Sequence, residues 1–374
     1  MHVISLTAVD FRSYEFVEIN LEKGVTTFIG SNGQGKTNLV EAISYCSTLS
    51  SHRVSQDLPL VRAGQPRAIV RTGVKHLDRT NWLEVEIWPA KTNKAKLNGS
   101  DCKRTKEILG ILKTITFSPE DLILVKGDPG QRRHFLDELL IQKSSSYAGI
   151  KSDYDRVLKQ RNALLKSSGP ARRNNLDSVL TTLDIWDEQL VNFGSQIIFS
   201  RNEIIKELLP YVVKSYAELA PSSKALNITY QPNVLSETFE LPEIVTMMKE
   251  NLKSRQKDEL DRGLTLVGPH RDDVEISIGE LPTKGYASHG ESWSTALALR
   301  LASFDLLKAN SPAGDPVLIL DDVFAELDAT RRNQLILRVK NVEQVLITAA
   351  VMEDVPKELV GNKLFVNNSK VETK

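Results

Sequence analysis

Near the N-terminus, polar and apolar positions alternate. Ile4, Leu6 and Ala8 alternate with Ser5 and Thr7, and Val17, Ile19 and Leu21 with Glu18 and Asn20. This pattern predicts two half-buried strands. A short apolar run, Val25 to Ile29, then ends in glycine. After a glycine-rich turn, Leu39, Ile43 and Cys46 share one side of a helix predicted over Asn38 to Ser47. Strand, glycine loop and helix in that order open an α/β unit.

Further on, the periods separate into regions. Residues 61–117 read as a β-rich annex, with strands at Ala68 to Val74 and Trp82 to Trp88 and a hairpin turn at Asn98-Gly99. From Glu120 to Asp258 the spacing is helical: Trp186, Leu190, Phe193, Ile197, Arg201, Ile204, Leu208 and Tyr211 recur every three or four residues. Leu180 to Leu209 predicts a rod of about 45 Å at roughly 1.5 Å per residue, ended or kinked by Pro210. The segment SSGPARRNN at 167–175 reads as a basic, breaker-rich loop. Strand character returns at Leu264 to Val267 and Val274 to Ile278, a helix runs to Lys308, and Val317 to Leu320 and Val345 to Thr348 are strands. The expected organisation is one α/β domain in two parts, 1–119 and 259–374, split by a helical lobe over 120–258.

Composition narrows the class. At 41% hydrophobic and 26% charged over 374 residues, the chain has the apolar surface for a core, which excludes bulk disorder. Lys plus Arg and Asp plus Glu are both 48, which excludes a wholly basic packaging protein. The annex is uneven, however, with 12 Lys and Arg against 5 Asp and Glu between 61 and 117. Cys46 and Cys102 are too few for a disulfide framework and fit a reducing compartment. No apolar run reaches the ~18 residues of a membrane span, and the start lacks a secretory pattern. A cytoplasmic protein with no membrane partner is expected.

Three motifs carry chemistry. Gly30-Ser31-Asn32-Gly33-Gln34-Gly35-Lys36-Thr37 fits G-x-x-x-x-G-K-[ST]. Backbone N–H groups of such a turn, with the N-terminus of the next helix, bind phosphate oxygens. Lys36 reaches the outer phosphates of ATP, and the Thr37 hydroxyl can ligate Mg²⁺. Second, Val317-Leu318-Ile319-Leu320 is a buried strand that ends in Asp321 and Asp322. Asp321 can hold the Mg²⁺, and Asp322 can polarise the attacking water. Third, Ser288-His289-Gly290-Glu291 opens the helix to Lys308. It is either a second anion-binding corner or an ordinary cap, since Ser288 and Glu291 have capping-box spacing. It is hard to aim at the same nucleotide from within one chain. No metal cluster and no Ser–His–Asp or Cys–His arrangement stands out.

The order of these motifs resembles the ATPase head of the ABC superfamily, whose D-loop matches Ala325-Glu326-Leu327-Asp328. The resemblance is closer to the RecF family of recombination-repair proteins. Phe11-Arg12-Ser13-Tyr14, Ser118-Pro119-Glu120-Asp121-Leu122, Arg132-Arg133, Phe135-Leu136-Asp137, Gly268-Pro269-His270-Arg271-Asp272-Asp273 and Asp321-Asp322-Val323-Phe324 carry it, across nearly the whole chain. It implies an ABC-type head with a β-rich annex and inserted helical lobe, and an ATP sandwich. There the phosphate loop of one protomer and Ser288, Gly290 and Glu291 of the other clasp one nucleotide, making an ATP-dependent homodimer. It also places Arg12 beside the nucleotide, where the residues alone allow a solvated arginine. For His270 and Arg271, nucleotide sensing and fixing of the lobe interface both stay open. Three departures are visible. Glu291 replaces the family's usual glutamine. Asp322 is shorter than the superfamily's glutamate base, which fits slow hydrolysis. Thr348-Ala349-Ala350 offers no histidine after the last core strand, so the γ-phosphate sensor is Thr348 or absent.

The implied partners are double-stranded DNA, single-strand/double-strand junctions and recombination mediators of the RecR and RecO type. The annex and the loop around Arg172-Arg173 are the expected DNA surface, binding through phosphate neutralisation without base readout. A transport ATPase driving a membrane partner is the alternative. The long helical insertion and basic annex argue against it. An SMC-type head would need far longer heptad arms.

Overall fold

The computed structural model describes residues 1–171, 176–311 and 314–373, with backbone alone for 168–171, 176, 177 and 373. Along the chain, β1 (His2–Phe11) and β2 (Tyr14–Asn20) form a hairpin, and β3 (Gly24–Ile29) turns into α1 (Lys36–Thr48). Then come β4 (Ala68–His76), β5 (Arg79–Ile87), β6 (Lys94–Leu97), β7 (Ser100–Asp101) and β8 (Thr114–Phe117). Helices α2 (Leu122–Lys126), α3 (Pro129–Lys143), α4 (Tyr147–Ala171) and α5 (Leu176–Leu219) follow, then β9 (Leu226–Gln231) and α6 (Leu241–Arg262). The chain closes with β10 (Asp273–Ile278), β11 (Leu281–Pro282), the single turn α7 (Thr283–Tyr286), α8 (His289–Ala309), β12 (Val317–Asp321), α9 (Ala329–Val339), β13 (Gln344–Ala349), β14 (Gly361–Asn367) and β15 (Lys370–Thr373).

The continuous apolar runs find one another. β8, β12, β13, β3 and β14 lie side by side and parallel, with β15 antiparallel on the edge. Every residue of β8, β12 and β13 is buried, as strands covered on both faces must be. The period of two divides the faces. Val317 and Ile319 pack toward α1 and the annex, while Leu318 and Leu320 pack toward the helices. α1 is sandwiched between two sheets, so Leu39, Val40, Ala42, Ile43 and Cys46 are all 0–1% exposed.

β1 and β2 do not join this parallel sheet. They extend the annex into a six-stranded antiparallel sheet, β2-β1-β4-β5-β6-β7. Alternation predicts a half-buried strand without saying which sheet receives it.

In the helical region α5 runs unbroken through Pro210 for 44 residues, well beyond the rod predicted from sequence. A proline inside a helix costs roughly 3 kcal/mol. Here Leu208 and Val212 on either side are fully buried in the main cluster, and tertiary packing overrides the local preference. The first part of the expected breaker-rich loop is helical, since α4 continues to Ala171, and Arg172-Arg173 lie outside the described residues. Leu264 to Val267 forms no strand. It is tied instead by Thr265 N to Asn162 Oδ1 at 2.8 Å and Leu266 N to Glu259 Oε1 at 2.7 Å.

Buried ion pairs fix the helices to one another and to the turn at Pro269. Arg201 of α5, 1% exposed, forks onto Asp137 of α3 at 2.9 and 3.0 Å, and donates to Pro269 O at 2.7 Å. Arg161 of α4 joins Asp187 and Glu259, each at 2.6 Å. Removing one member of such a group leaves a buried charge unpaired, at a cost of about 3–5 kcal/mol.

His270 belongs to this joint. Its Nε2 donates to Thr265 O at 3.1 Å, which leaves Nδ1 to accept from Tyr154 Oη of α4 at 2.7 Å. Burial, aided by the guanidiniums of Arg271, Arg133 and Arg161 and opposed by the Thr265 carbonyl, lowers its pKa from the ordinary 6.5 to about 4. Between those values the unfolded chain binds more protons than the folded one. This stability is therefore full above pH 6.5 and lost as pH falls toward 4, up to about 3 kcal/mol. Urea unfolding of the parent and His270→Asn at stepped pH should show the slope flattened in the variant. Parallel curves would contradict this role.

Candidate nucleotide site

The carboxyl ends of β3, β13 and β12 lie together, because Thr348 of β13 pairs with Phe28 on one side and Asp321 on the other. Such an edge is where open α/β sheets hold ligands. The phosphate loop leaves β3 there. Gly30 is enclosed: a Cβ would stand 2.1 Å from Val366 O. Gly35 has φ +109°, and a Cβ would meet Tyr14 Oη at 2.8 Å. The turn after β14 holds the loop from outside, with Asn368 N donating to Gln34 Oε1 at 2.5 Å and Ser369 N to Gln34 O at 3.1 Å.

The start of α1 is left open. Gly35 supplies no side-chain cap and the first turn holds no acid, whereas Ser288 and Asp328 cap α8 and α9. Helix-initial amides without a cap seek an anion. Lys36 is 3% exposed, and among the described residues its hydrogen-bond partner is Ser31 O at 3.3 Å. A buried ammonium with so little compensation could hold a phosphate.

Across the sheet edge, Asp321 Oδ1 accepts from Thr37 Oγ1 at 2.9 Å and from Thr348 Oγ1 at 2.6 Å. The Thr348 oxygen in turn accepts the Asp322 N–H at 2.9 Å. Burial works against ionisation of Asp321, but the facing His52 and the hydroxyls of Thr348 and Thr37 outweigh it and hold the carboxyl below its usual range. Asp322 moves the other way. Burial raises it; Lys36 opposes this and Asp321 adds to it. Environments that drive two acids apart assign one to charge and the other to proton transfer. The 2.9 Å between Thr37 Oγ1 and Asp321 Oδ1 suits neighbouring ligands of an octahedral Mg²⁺ with bonds of about 2.1 Å, and the donors are hard oxygens. The residues fit the cation.

Arg12, with φ +53°, forks onto Glu41 of α1 at 2.8 and 2.6 Å. Glu41 is fully buried and also takes Ser51 Oγ at 2.5 Å. Arg12 is thus bound to the phosphate-loop helix and is not a solvated arginine at a strand end.

The Ser288 segment lies elsewhere. Ser288 and Glu291 form the reciprocal capping box, at 2.9 and 3.2 Å, on an exposed turn. A Cβ on Gly290 would meet Arg331 Nη2 at 2.9 Å, and Arg331 pairs with Asp328. Among the described residues no hydrogen bond or ion pair joins Ser288–Glu291 to 30–37. In the annex, Arg67 and Arg71 pair with Glu86 and Glu84 across the strands, and Arg67 and Lys91 each lie 5.1 Å from the Trp88 ring.

Sequence reasoning missed His52. Its Nε2 stands 3.9 Å from Asp321 Oδ2, from the loop after α1. A lone histidine in a loop carries no period or spacing that could have marked it.

A phosphate loop and an acid pair flanking one strand of a parallel sheet, with a capped Ser-x-Gly-Glu helix apart from both, define an ABC-type ATPase head. The chain belongs to the RecF/RecN/SMC family, whose N terminal domain model matches residues 2–368. It is 51% identical over 373 residues to the DNA replication and repair protein RecF of Streptomyces avermitilis, covering 100% of both. It is 50% identical to the RecF of Kineococcus radiotolerans, covering 96% of both. A solved structure of the recombination mediator protein RecF with ATP, in the RecFOR pathway, superposes with a TM-score of 0.90 at 30% identity, over 100% of this chain and 97% of that one. An Smc head from Pyrococcus furiosus shares the fold, at TM-score 0.55 and 17% identity, covering 100% and 96% of the two chains. The RecF resemblance seen in the sequence therefore holds along the whole chain. The relatives named above are RecF and Smc proteins, and no described helix is long and apolar enough to cross a membrane.

Thr348 is fully engaged between the acids, so its role is to set their geometry. Thr348→Val keeps the shape and removes the hydroxyl. ATP hydrolysis at saturating nucleotide should fall by roughly tenfold or more, the scale of one misplaced charge-assisted hydrogen bond, while ATP affinity without Mg²⁺ stays unchanged. An unaltered rate would contradict the assignment.

Proposed function

We propose that this chain is an ATP-gated DNA-binding protein of recombinational repair and replication-fork maintenance, acting as a homodimer. The observation that carries the reading is the split between two half-sites. One has open amides, buried Lys36 and the Thr37–Asp321 pair. The other, exposed Ser288 with half-buried Gly290 and Glu291, shares no hydrogen bond or ion pair with the first among the described residues. A second copy can bring them together around one ATP. ATP drives closure only if the closed state binds it better, which contact with both protomers provides.

Within the site, the amides of 30–35 and Lys36 hold the phosphates. Thr37 and Asp321 hold Mg²⁺, which when bound neutralises phosphate charge. Asp322, with its raised proton affinity, takes a proton from the attacking water. Its short side chain and Thr348-braced backbone suit slow, weak hydrolysis. Arg12 steadies the loop helix through Glu41 and borders the nucleotide. The head is composed of 1–119 and 259–374, and the lobe of 120–258.

The DNA face is the basic annex. Its cations neutralise phosphates without reading bases, so binding weakens with salt. The resemblance to RecF points to duplex DNA near single-strand junctions and to mediator partners of the RecR and RecO type, helping recombinase load on gaps in the cytoplasm.

Light scattering after size exclusion tests this. The chain should be monomeric alone, dimeric with ATP and Mg²⁺, and co-elute with short duplex DNA in the third run. Lys36→Ala should stay monomeric throughout. A mass unmoved by ATP, or unchanged dimerisation of the variant, would sink the sandwich.

A further inference from the structure

His52 has no place in the motifs, yet the loop that carries it is tightly held. Ser51 on one side donates to Glu41 Oε1 at 2.5 Å and accepts Val54 N at 3.2 Å. Arg53 on the other side donates to Asn38 Oδ1 at 3.2 Å. Both anchors, Glu41 and Asn38, belong to α1, so the histidine moves with the phosphate-loop helix. Its side chain is only 10% exposed, and neither Nδ1 nor Nε2 has a hydrogen-bond partner. Buried ring nitrogens left without partners are costly and rare. The ring faces Asp321 Oδ2 at 3.9 Å, too far for a direct hydrogen bond. The other oxygen, Oδ1, already serves Thr37 and Thr348. A polar side chain is thus held without a hydrogen bond against the metal end of the site, while Thr348 is occupied between the acids.

Resting on the nucleotide-site reading above, we infer that His52 touches the nucleotide. Its Nε2 hydrogen-bonds an oxygen of the Mg²⁺–triphosphate group, either on the γ-phosphate or on a metal-held water. This fills the sensing position for which the sequence after β13 offers no histidine. The contact comes from the loop after α1, so sensing is built into the helix that binds the phosphates.

Calorimetric titration of the full chain with ATP and with ADP, each in Mg²⁺ and in EDTA, tests the inference on His52→Ala, His52→Gln and His52→Asn. The alanine variant should bind ATP with Mg²⁺ on the order of tenfold more weakly, one hydrogen bond to a charged group, and ADP in EDTA as the parent does. Glutamine, whose amide nitrogen reaches the position of Nε2, should restore affinity, and the shorter asparagine should not. A loss of ATP affinity that persists in EDTA, with ADP unaffected, puts the contact on the γ-phosphate, and one confined to ATP with Mg²⁺ puts it on a water held by the metal. A loss shared by ADP with Mg²⁺ puts it on metal-held water. Unchanged affinity, or an equal loss in all four titrations, overturns the inference. Should the alanine variant fail to fold, the other two decide: equal affinities for ATP with Mg²⁺ overturn it. A parent chain that binds neither nucleotide would overturn the site reading itself, and Lys36→Ala provides that reference.

Discussion

One carboxylate oxygen, Asp321 Oδ1, gathers the ends of neighbouring strands. It takes the Thr37 hydroxyl from the phosphate loop, 284 positions away in sequence, and the Thr348 hydroxyl from β13. This works only if β3, β13 and β12 are parallel and in register, with their carboxyl ends level. Register in turn follows from burial on both faces, where a slip of one residue would turn each strand inside out. Hence Val317 and Ile319 must find α1 while Leu318 and Leu320 find the helices. The site's chemistry depends on core packing in this direct sense.

The same dependence extends to the helical lobe, through buried arginines. Arg201 joins α5 to α3 and to the Pro269–Asp272 turn. Arg132 forks onto Asp273 at 2.7 and 2.9 Å, and Arg300 of α8 reaches Asp121 at 2.6 Å. Asp121, Arg132, Asp137, His270, Asp272 and Asp273 are among the residues by which the sequence resembles RecF. In the structure they are joints between lobe and head. A buried ion pair adds little net stability against an apolar core, but a wrong arrangement leaves charges unpaired, which penalises every other docking of the lobe. Through Arg300 and Asp121 the same kind of joint ties α8, with Ser288 at its start, to the segment that opens α2.

This division explains what was legible. The phosphate loop and acid strand could be read because backbone chemistry fixes their spacing within a few residues. The helix α1 and the β-rich annex followed from period, but the burial of α1 on more than the predicted side, Val40 and Ala42 included, did not. The membership of β1 and β2 in the annex sheet did not, since alternation names a buried face but not its neighbour. Pro210 read as a boundary because local propensity is visible and the burial of Leu208 and Val212 is not. Leu264 to Val267 looked like a strand by composition, yet its backbone is satisfied by Asn162 and Glu259, partners far away in sequence or across a turn. His52 shows no pattern in sequence, and only the fold brings it to Asp321.

The capping box on α8 bears on how an ATP clasp would open. Ser288 Oγ accepts the Glu291 N–H and donates to Glu291 Oε2 at 2.7 Å. That Ser288 hydroxyl and the Ser288 N–H, both donating to the carboxylate, lower the Glu291 pKa and keep a negative charge at the helix N-terminus. In the proposed dimer an incoming phosphate would compete with that carboxylate for the same hydroxyl and amide. Glutamine at this position would cap without the charge. Repulsion between Glu291 and phosphate raises the free energy of the closed state relative to the open one, so less of the binding energy of ATP appears as closure. The phosphate loop, with no cap and no acid in its first turn, has no such competitor. In the proposed dimer, nucleotide affinity in a single protomer and tightness of the clasp would therefore be set by different helix ends.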